Sequence, residues 1–336
     1  MKSLNIVFRE REKVEVIKEN VAPLKSDEVL CAADKSLISI GTELFCLKGV
    51  FDPGSDWEAW VKYPYYPGYS MSACIIEVGN DVKGLKIGDR VLCAISHKQY
   101  SIAKPNKLHL IPEQIDSEEA TWGSLALVTQ IGIRAAQIEL GETVGVIGLG
   151  MLGQLIVQYL NILGVRNIFG FDLIEKRAQM AKNHGVTYAC LGDVKSAVDE
   201  IKKVTNNKML DVVFEMTGNA SVLSTSIQFL RKFGRLMLIG DSPTPSKQCL
   251  GTGVISNGIK IIGAHGSHTP EKATPFNQWT KEAQTDLFFN YLIKKRMSVK
   301  DLITDRYSPI DAPDVYRNLL KDRSGEIGVI FNWELL

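Results

Sequence analysis

Three glycines, Gly148, Gly150 and Gly153, stand in a Gly-x-Gly-x-x-Gly spacing, with Leu149, Met151 and Leu152 between them. Each glycine has a use if the loop is to cradle a pyrophosphate. The first admits a tight turn, the second lets the backbone approach the phosphates, and the third lets a helix pack closely on a strand. The helix that follows turns free N–H groups and a positive dipole end toward the anion. Asp172 lies nineteen residues past Gly153. A carboxylate there accepts hydrogen bonds from an adenosine ribose and repels a 2′-phosphate, so the pattern favours NAD(H) over NADP(H). Arg177 is close enough in sequence to reach the same ribose. Taken alone, Asp172 would read as a turn cap and Arg177 as a solvated helix residue.

The elements around the loop decide between these readings. Residues Thr143–Ile147 form an apolar strand, 152–163 a helix, 167–171 a second strand and 175–184 a second helix that stops at Gly185. Strands over 212–214 and 235–239 follow, with a helix between them near 221–229. Strands alternating with helices predict a parallel, doubly wound sheet, with the glycine loop where strand turns into helix. Residues 1–110 read differently. Short β-rich segments around Val29, Ser72 and Arg90 are separated by Gly and Pro punctuation, which predicts an all-β, barrel-like half. Ser117-Glu118-Glu119-Ala120 reads as a helix start with Ser117 as N-cap. Beyond His265 a helix is expected near 314–320 and a last strand at 327–332.

Composition limits the function classes. The chain has 336 residues, 45% hydrophobic and 23% charged, which suits two folded domains. Its net charge of +1 gives no electrostatic case for nucleic acid or an anionic membrane as partner. The six cysteines are scattered, without a C-x-x-C, which argues against a disulfide scaffold or a zinc ribbon. The first residues lack the apolar core of a signal peptide, and no apolar run is long enough to span a bilayer. A cytoplasmic protein acting on a small molecule is expected.

Further motifs, in order, carry a resemblance. They are Gly41-Thr42-Glu43, Tyr66-Pro67-Gly68-Tyr69-Ser70 followed by Glu77-Val78-Gly79, the run from Val82 to Gly88-Asp89-Arg90-Val91, Ile303-Thr304, and Ala312-Pro313-Asp314-Val315-Tyr316. Together with the glycine loop they resemble the medium-chain dehydrogenase/reductase superfamily, its zinc-type alcohol and polyol dehydrogenases in particular. The resemblance implies a GroES-like β-barrel catalytic domain over 1–124, a Rossmann NAD-binding domain over 125–266, and a return segment over 267–336 that completes the first domain. It implies a cleft between the domains for nicotinamide and substrate. It also implies that Ile239, at the end of a sheet strand, and Ala264-His265-Gly266, which resembles the segment meeting the nicotinamide carboxamide, belong with the cofactor-binding positions. Relatives form dimers or tetramers through the edge of the Rossmann sheet, here near 255–262.

The departures are chemical. Where the resemblance places zinc ligands, this chain has Ile40, Tyr69 with Ser70, and Gly123-Ser124. Ile and Gly have no donor atoms, and Tyr and Ser are poor neutral ligands, so a zinc-free member with no metal is expected. Phe45 stands where the proton-relay histidine would be, although Thr42 retains the relay hydroxyl. Without zinc, an alcohol proton needs another acid/base. Tyr69, Glu43 and Thr42 are the candidates, with Ser39 as a further hydroxyl. Glu43 reads equally as a structural ion pair, and Thr42 and Ser39 as loop residues bonding local backbone. His265 has an open role. Tyr63, Tyr65, Tyr66, Trp57 and Trp60 are either an aromatic wall for a ring-shaped substrate or ordinary packing. The expectation is a zinc-independent NAD-dependent enzyme interconverting a secondary alcohol and a ketone on a polar, sugar- or cyclitol-like substrate. The alternatives are a zinc-free reductase of C=C bonds and a dinucleotide-binding protein without turnover.

Overall fold

The structure is a computed structural model that describes residues 1–192 and 194–336. The chain divides into two compact units, Met1–Ser124 with Glu282–Leu336, and Leu125–Lys281.

In the first unit, β1 (Lys2–Glu10) and β2 (Lys13–Asn20) pair as an antiparallel ribbon. β3 (Val29–Leu37) leads into α1 (Ile40–Lys48) and α2 (Asp56–Trp60) before the chain returns as β4 (Met71–Val78), β5 (Arg90–Cys93), β6 (Tyr100–Ala103) and β7 (Leu108–Leu110). α3 (Ser117–Ala120) follows. The second unit contains most of α4 (Gly123–Ala136), then β8 (Thr143–Ile147), α5 (Met151–Leu163), β9 (Asn167–Asp172), α6 (Glu175–Asn183), β10 (Tyr188–Leu191), α7 (Val194–Thr205), β11 (Leu210–Glu215), α8 (Leu223–Gln228), β12 (Leu230–Leu238) and β13 (Lys260–Gly263). The tail, α9 (Lys281–Ile293), β14 (Ile303–Tyr307), α10 (Ala312–Lys321) and β15 (Gly328–Asn332), rejoins the first unit. Its two strands extend that unit's sheet to the order β14-β15-β3-β4-β5-β7, with β6 paired to β3. This is the GroES-like architecture, completed from the C-terminal end.

The six strands of the second unit are all parallel, in the order β10-β9-β8-β11-β12-β13. Side chains alternate across the sheet. Val144, Val146, Ile168, Val212 and Phe214 enter one core with α5, whereas Ile147, Phe169, Phe171, Leu210 and Val213 enter the other. Both faces are therefore apolar, as parallel strands covered by helices on both sides require. Each large core side chain, such as Phe214, contributes about 1.5–3 kcal/mol by burial. Strand order reverses between β8 and β11, so their carboxyl ends flank the crevice where such sheets hold ligands.

Four differences from the sequence reading have physical reasons. The half expected to be all-β contains α1 and α2; α1 buries Ile40, Leu44, Cys46 and Leu47 and so shows little apolar-to-polar contrast around its axis. The N-cap of α3 is Asp116, which accepts the Glu119 N–H at 2.8 Å, rather than Ser117. Residues 267–281 group with the second unit, where Trp279 stacks on the Arg134 guanidinium at 3.3 Å. The boundary therefore falls at 281/282 and not 266/267. α9 lies in a tail where no helix was expected before 314.

Candidate cofactor and acid–base sites

The glycine loop opens at the carboxyl end of β8. Gly148 has φ +90°, and its N–H is held by the Phe171 carbonyl at 2.8 Å. Gly150 is the N-cap of α5, with no side chain to satisfy the first N–H groups of the helix. A Cβ placed on Gly150 would meet no atom within 4 Å, so the backbone there faces open space. Such a helix start attracts phosphate. A Cβ on Gly153 would strike the Gly148 carbonyl oxygen, which is why the third glycine is needed. Leu149 and Met151 point their side chains into the protein and Leu152 packs against the same core, so this loop offers its backbone.

Asp172 ends β9. Its Oδ2 accepts the Leu149 N–H at 2.7 Å and its Oδ1 accepts the Ile174 N–H at 2.9 Å. The carboxylate caps the turn and pins the glycine loop at once. A carboxylate has about four acceptor positions, so these bonds leave room for ribose hydroxyls. Gln154, fully buried, was not singled out in the sequence. Its amide donates to the Leu149 carbonyl at 3.0 Å and to the Arg177 carbonyl at 2.9 Å, tying the loop to α6. Arg177 thus serves this clasp through its backbone.

Glu215, at the end of β11, was also missed. It is buried, and burial pushes its carboxyl above the ordinary range. It accepts the N–H groups of Thr217 at 2.7 Å and Gly218 at 3.3 Å, and the Thr217 hydroxyl. The Thr217 methyl abuts Gly148, since a Cβ there would lie 2.8 Å from it. The readable signal was an acid ending an apolar strand, followed by Thr217-Gly218. Ile239 and Ala264 are buried and bonded to the strand ends, Ile239 N–H to Glu215 and Ala264 N–H to Leu238, both at 3.0 Å. His265 and Gly266 open an exposed turn. There the His265 imidazole lies 2.9 Å from the Ser267 hydroxyl.

The acid–base candidates lie in the first unit, where β3 runs into α1. Tyr69 is half-buried, and its hydroxyl is 2.5 Å from Ser39 Oγ. Burial pushes the phenol above its ordinary value; hydrogen bonds from Ser39 and Thr42 pull it down, and the charge of Glu43 adds to the rise. Ser39, Thr42 and Tyr69 therefore form one hydroxyl cluster.

Glu43 sits behind this cluster, 1% exposed. Its Oε1 accepts the Ser39 N–H at 2.7 Å, and its Oε2 faces His97 Nε2 at 3.2 Å and receives the Tyr316 hydroxyl. The Trp333 indole can only donate, and Ser36 Oγ accepts it at 2.9 Å. Ser36 Oγ also lies 2.7 Å from His97 Nδ1, and an imidazole carrying its hydrogen on Nε2 would complete the chain from Trp333 to Glu43. The Ser39 N–H, the His97 ring and the Tyr316 hydroxyl converge on one buried carboxyl group and supply the partners that burial of such a group requires. The Tyr316 phenol is held well above its ordinary value, by burial first and by the Glu43 charge second. The geometry favours the structural reading of Glu43, with His97 as its partner.

The zinc-ligand positions are otherwise engaged. Ile40 is buried, Ser70 donates its hydroxyl to the Thr121 carbonyl, and Ser124 donates to the Tyr69 carbonyl at 3.0 Å. Among the described residues no group of three or more His, Cys, Asp or Glu is gathered to hold a metal ion. Cys46 and Cys93 are buried, and burial pushes the Cys46 thiol up to about 12. A zinc site does not fit this donor set. The aromatic residues near α2 are committed to packing and local bonds. Tyr63 donates to the Cys46 carbonyl at 2.6 Å, Tyr66 to Glu19 at 2.7 Å, and Trp57 packs among Phe45, Phe51 and Trp60.

Comparison with known proteins agrees with this architecture. A family described as the alcohol dehydrogenase GroES-like domain matches residues 37–113, and one described as zinc-binding dehydrogenase matches residues 152–303. D-guloside 3-dehydrogenase of Escherichia coli (strain K12) is 26% identical over 266 residues, 76% of this chain and 75% of that protein. Sorbitol dehydrogenase of Bacillus subtilis (strain 168) is 26% identical over 297 residues, 78% and 79% of the two chains. In fold, a protein of E. coli CFT073 described as a short chain alcohol dehydrogenase and complexed with NADH superposes with TM-score 0.81 at 18% identity over 99% of both chains. A protein of Sinorhizobium meliloti 1021, described as a zinc-binding dehydrogenase and bound to NADP, gives 0.79 at 17% identity, again over 99% of both. The two halves of the chain thus lead to one lineage: this protein belongs to the zinc-type alcohol dehydrogenases of the medium-chain dehydrogenase/reductase superfamily.

Proposed function

We propose that the protein is a zinc-independent, NAD(H)-dependent oxidoreductase that interconverts a secondary alcohol and a ketone on a polar, sugar- or cyclitol-like substrate. The coarse part, an oxidoreductase using a nicotinamide dinucleotide, rests on relatives named as guloside and sorbitol dehydrogenases and on neighbours holding NADH or NADP. The choice of NAD(H) rests on Asp172, whose charge opposes a 2′-phosphate. Zinc independence is carried by one observation: the ligand positions hold Ile40, Tyr69, Ser70 and Ser124, and both serine hydroxyls are spent on backbone carbonyls.

A bound nicotinamide dinucleotide supplies the hydride acceptor or donor. The residues that would hold it are the Gly148–Gly153 backbone, Asp172, and the strand ends at Ile239 and Ala264. The protein's own contribution is the proton. In ketone reduction, Tyr69 Oη or its partner Ser39 Oγ donates to the carbonyl oxygen, and Thr42 supports the cluster. In alcohol oxidation the same atom takes the proton back. Glu43 fixes the Ser39 backbone, and its charge adds to the burial that holds the Tyr69 phenol above its ordinary value.

The test is NADH formation from NAD+ across polyols, cyclitols and sugars, with and without a strong chelator, with NADP+ in parallel. Turnover that survives chelation and prefers NAD+ supports the proposal. Turnover abolished by the chelator and restored by zinc refutes it. Tight NADH binding without turnover on any alcohol moves the assignment to a reductase of C=C bonds or to a binding protein. Assembly as a homodimer or homotetramer through the open edge of β13 belongs to the same proposal, and sedimentation tests it.

A further inference from the structure

The parallel sheet carries a second concavity at the end away from the glycine loop. The amino ends of β8, β9, β11 and β12 surround a solvent-open hollow of about 770 Å³. It is lined by Arg166, Lys208, Arg231 and Lys232 against a single carboxylate, Asp211. That carboxylate is already neutralised, accepting Arg231 Nε at 2.5 Å and the Thr143 N–H at 2.8 Å. Among the described residues Arg166, Lys208 and Lys232 have no acidic partner, so three positive charges converge uncompensated in a chain whose net charge is only +1. Like charges gathered in one concavity raise the local concentration of anions.

The rest of the lining narrows the ligand class. Asn167, Asn206 and Asn207 offer polar groups, and among the described residues no aromatic side chain lines the hollow. Asn206, Asn207 and Met209 all hold left-handed φ, at 51°, 61° and 64°, in the turn from α7 to β11 that carries Lys208. The volume lies in the range of small-ligand sites. Without an aromatic face there is nothing for a base to stack on. We propose that this hollow binds a small, multiply charged phosphorylated molecule without an aromatic ring, at a site separate from the dinucleotide loop. The two sites sit at opposite ends of β8, about 13 Å apart at roughly 3.3 Å per residue.

The probe is inorganic pyrophosphate, titrated calorimetrically at matched ionic strength into Gly150→Val. Its added side chain meets open space in the fold but obstructs the dinucleotide loop, so the result does not depend on the proposed activity. One saturable event is expected, weakened at least tenfold in Gly150→Val/Lys208→Glu/Lys232→Glu. Both lysines are exposed, and circular dichroism checks that the fold is kept. No saturable event, or one unchanged by the charge reversal, overturns the proposal. So does a change of sedimentation coefficient on charge reversal without a change in anion binding, which would make this face a contact between copies.

Discussion

The candidate cofactor loop and the proposed acid–base cluster are built in opposite ways. At the carboxyl end of β8 the chemistry is offered by backbone, and side chains such as Gln154 and Asp172 only hold that backbone still. Beside α1 the proposed chemistry is offered by side chains, and a buried carboxylate, Glu43, holds the Ser39 backbone that carries one of them. A site made of backbone tolerates little change at its glycines but accepts many side chains around them. A site made of hydroxyls can be rewritten residue by residue. That is how a fold shared with zinc-binding dehydrogenases can present Ile40, Tyr69, Ser70 and Ser124 where a metal would be held.

This contrast can be broken by experiment. Tyr69→Phe should lower turnover about 10²–10⁴-fold, the usual worth of a positioned acid/base, while costing under about 1 kcal/mol of stability. Glu43→Leu should do the reverse in kind. It leaves the Ser39 N–H, His97 and Tyr316 without an acceptor and should cost about 3–5 kcal/mol in thermal unfolding. Equal stability losses in the two variants would refute the division between reacting hydroxyls and supporting carboxylate. Gly153→Ala should cost about 1–3 kcal/mol by overpacking against the Gly148 carbonyl and should abolish NADH binding measured by fluorescence.

Two smaller effects sharpen the comparison. A phenol is neutral at neutral pH, and burial pushes that of Tyr69 further above its ordinary value. Ketone reduction, which uses the donor, should be flat there, whereas alcohol oxidation, which uses the base, should rise about tenfold per pH unit into the alkaline range. A plateau of the oxidation rate near pH 7 would remove Tyr69 as the base. Asp172→Asn, measured as the ratio of kcat/KM with NAD+ and NADP+, should shift preference toward NADP+ about tenfold, close to 1.4 kcal/mol.

The legibility of the sequence follows the same division. The glycine loop, Asp172 and the alternating strands and helices of the second unit were readable, because backbone geometry demands particular residues at fixed spacings. The family motifs located Tyr69, Thr42 and Glu43, but local pattern could not separate reacting from supporting roles. Glu43 finds His97 fifty-four positions away and Tyr316 two hundred and seventy-three positions away, and no window of sequence shows such pairings. α1 escaped notice because it is apolar on most sides, and Gln154 and Glu215 because a polar residue bonded to backbone looks like any other polar residue.

The carboxylate beside α1 has a consequence for how the polypeptide matures on the ribosome. Two of the groups that complete its surroundings, Tyr316 and Trp333, belong to the last helix and the turn after the last strand. Residues 125–281 form one continuous stretch and are able to fold as soon as they emerge. The amino-terminal unit, although synthesised earlier, has to wait for Tyr316 and Trp333 to emerge. During that interval Glu43 and His97 lack their finished enclosure, so a ribosome stalled before codon 316 should display a competent dinucleotide fold next to an immature, protease-sensitive partner.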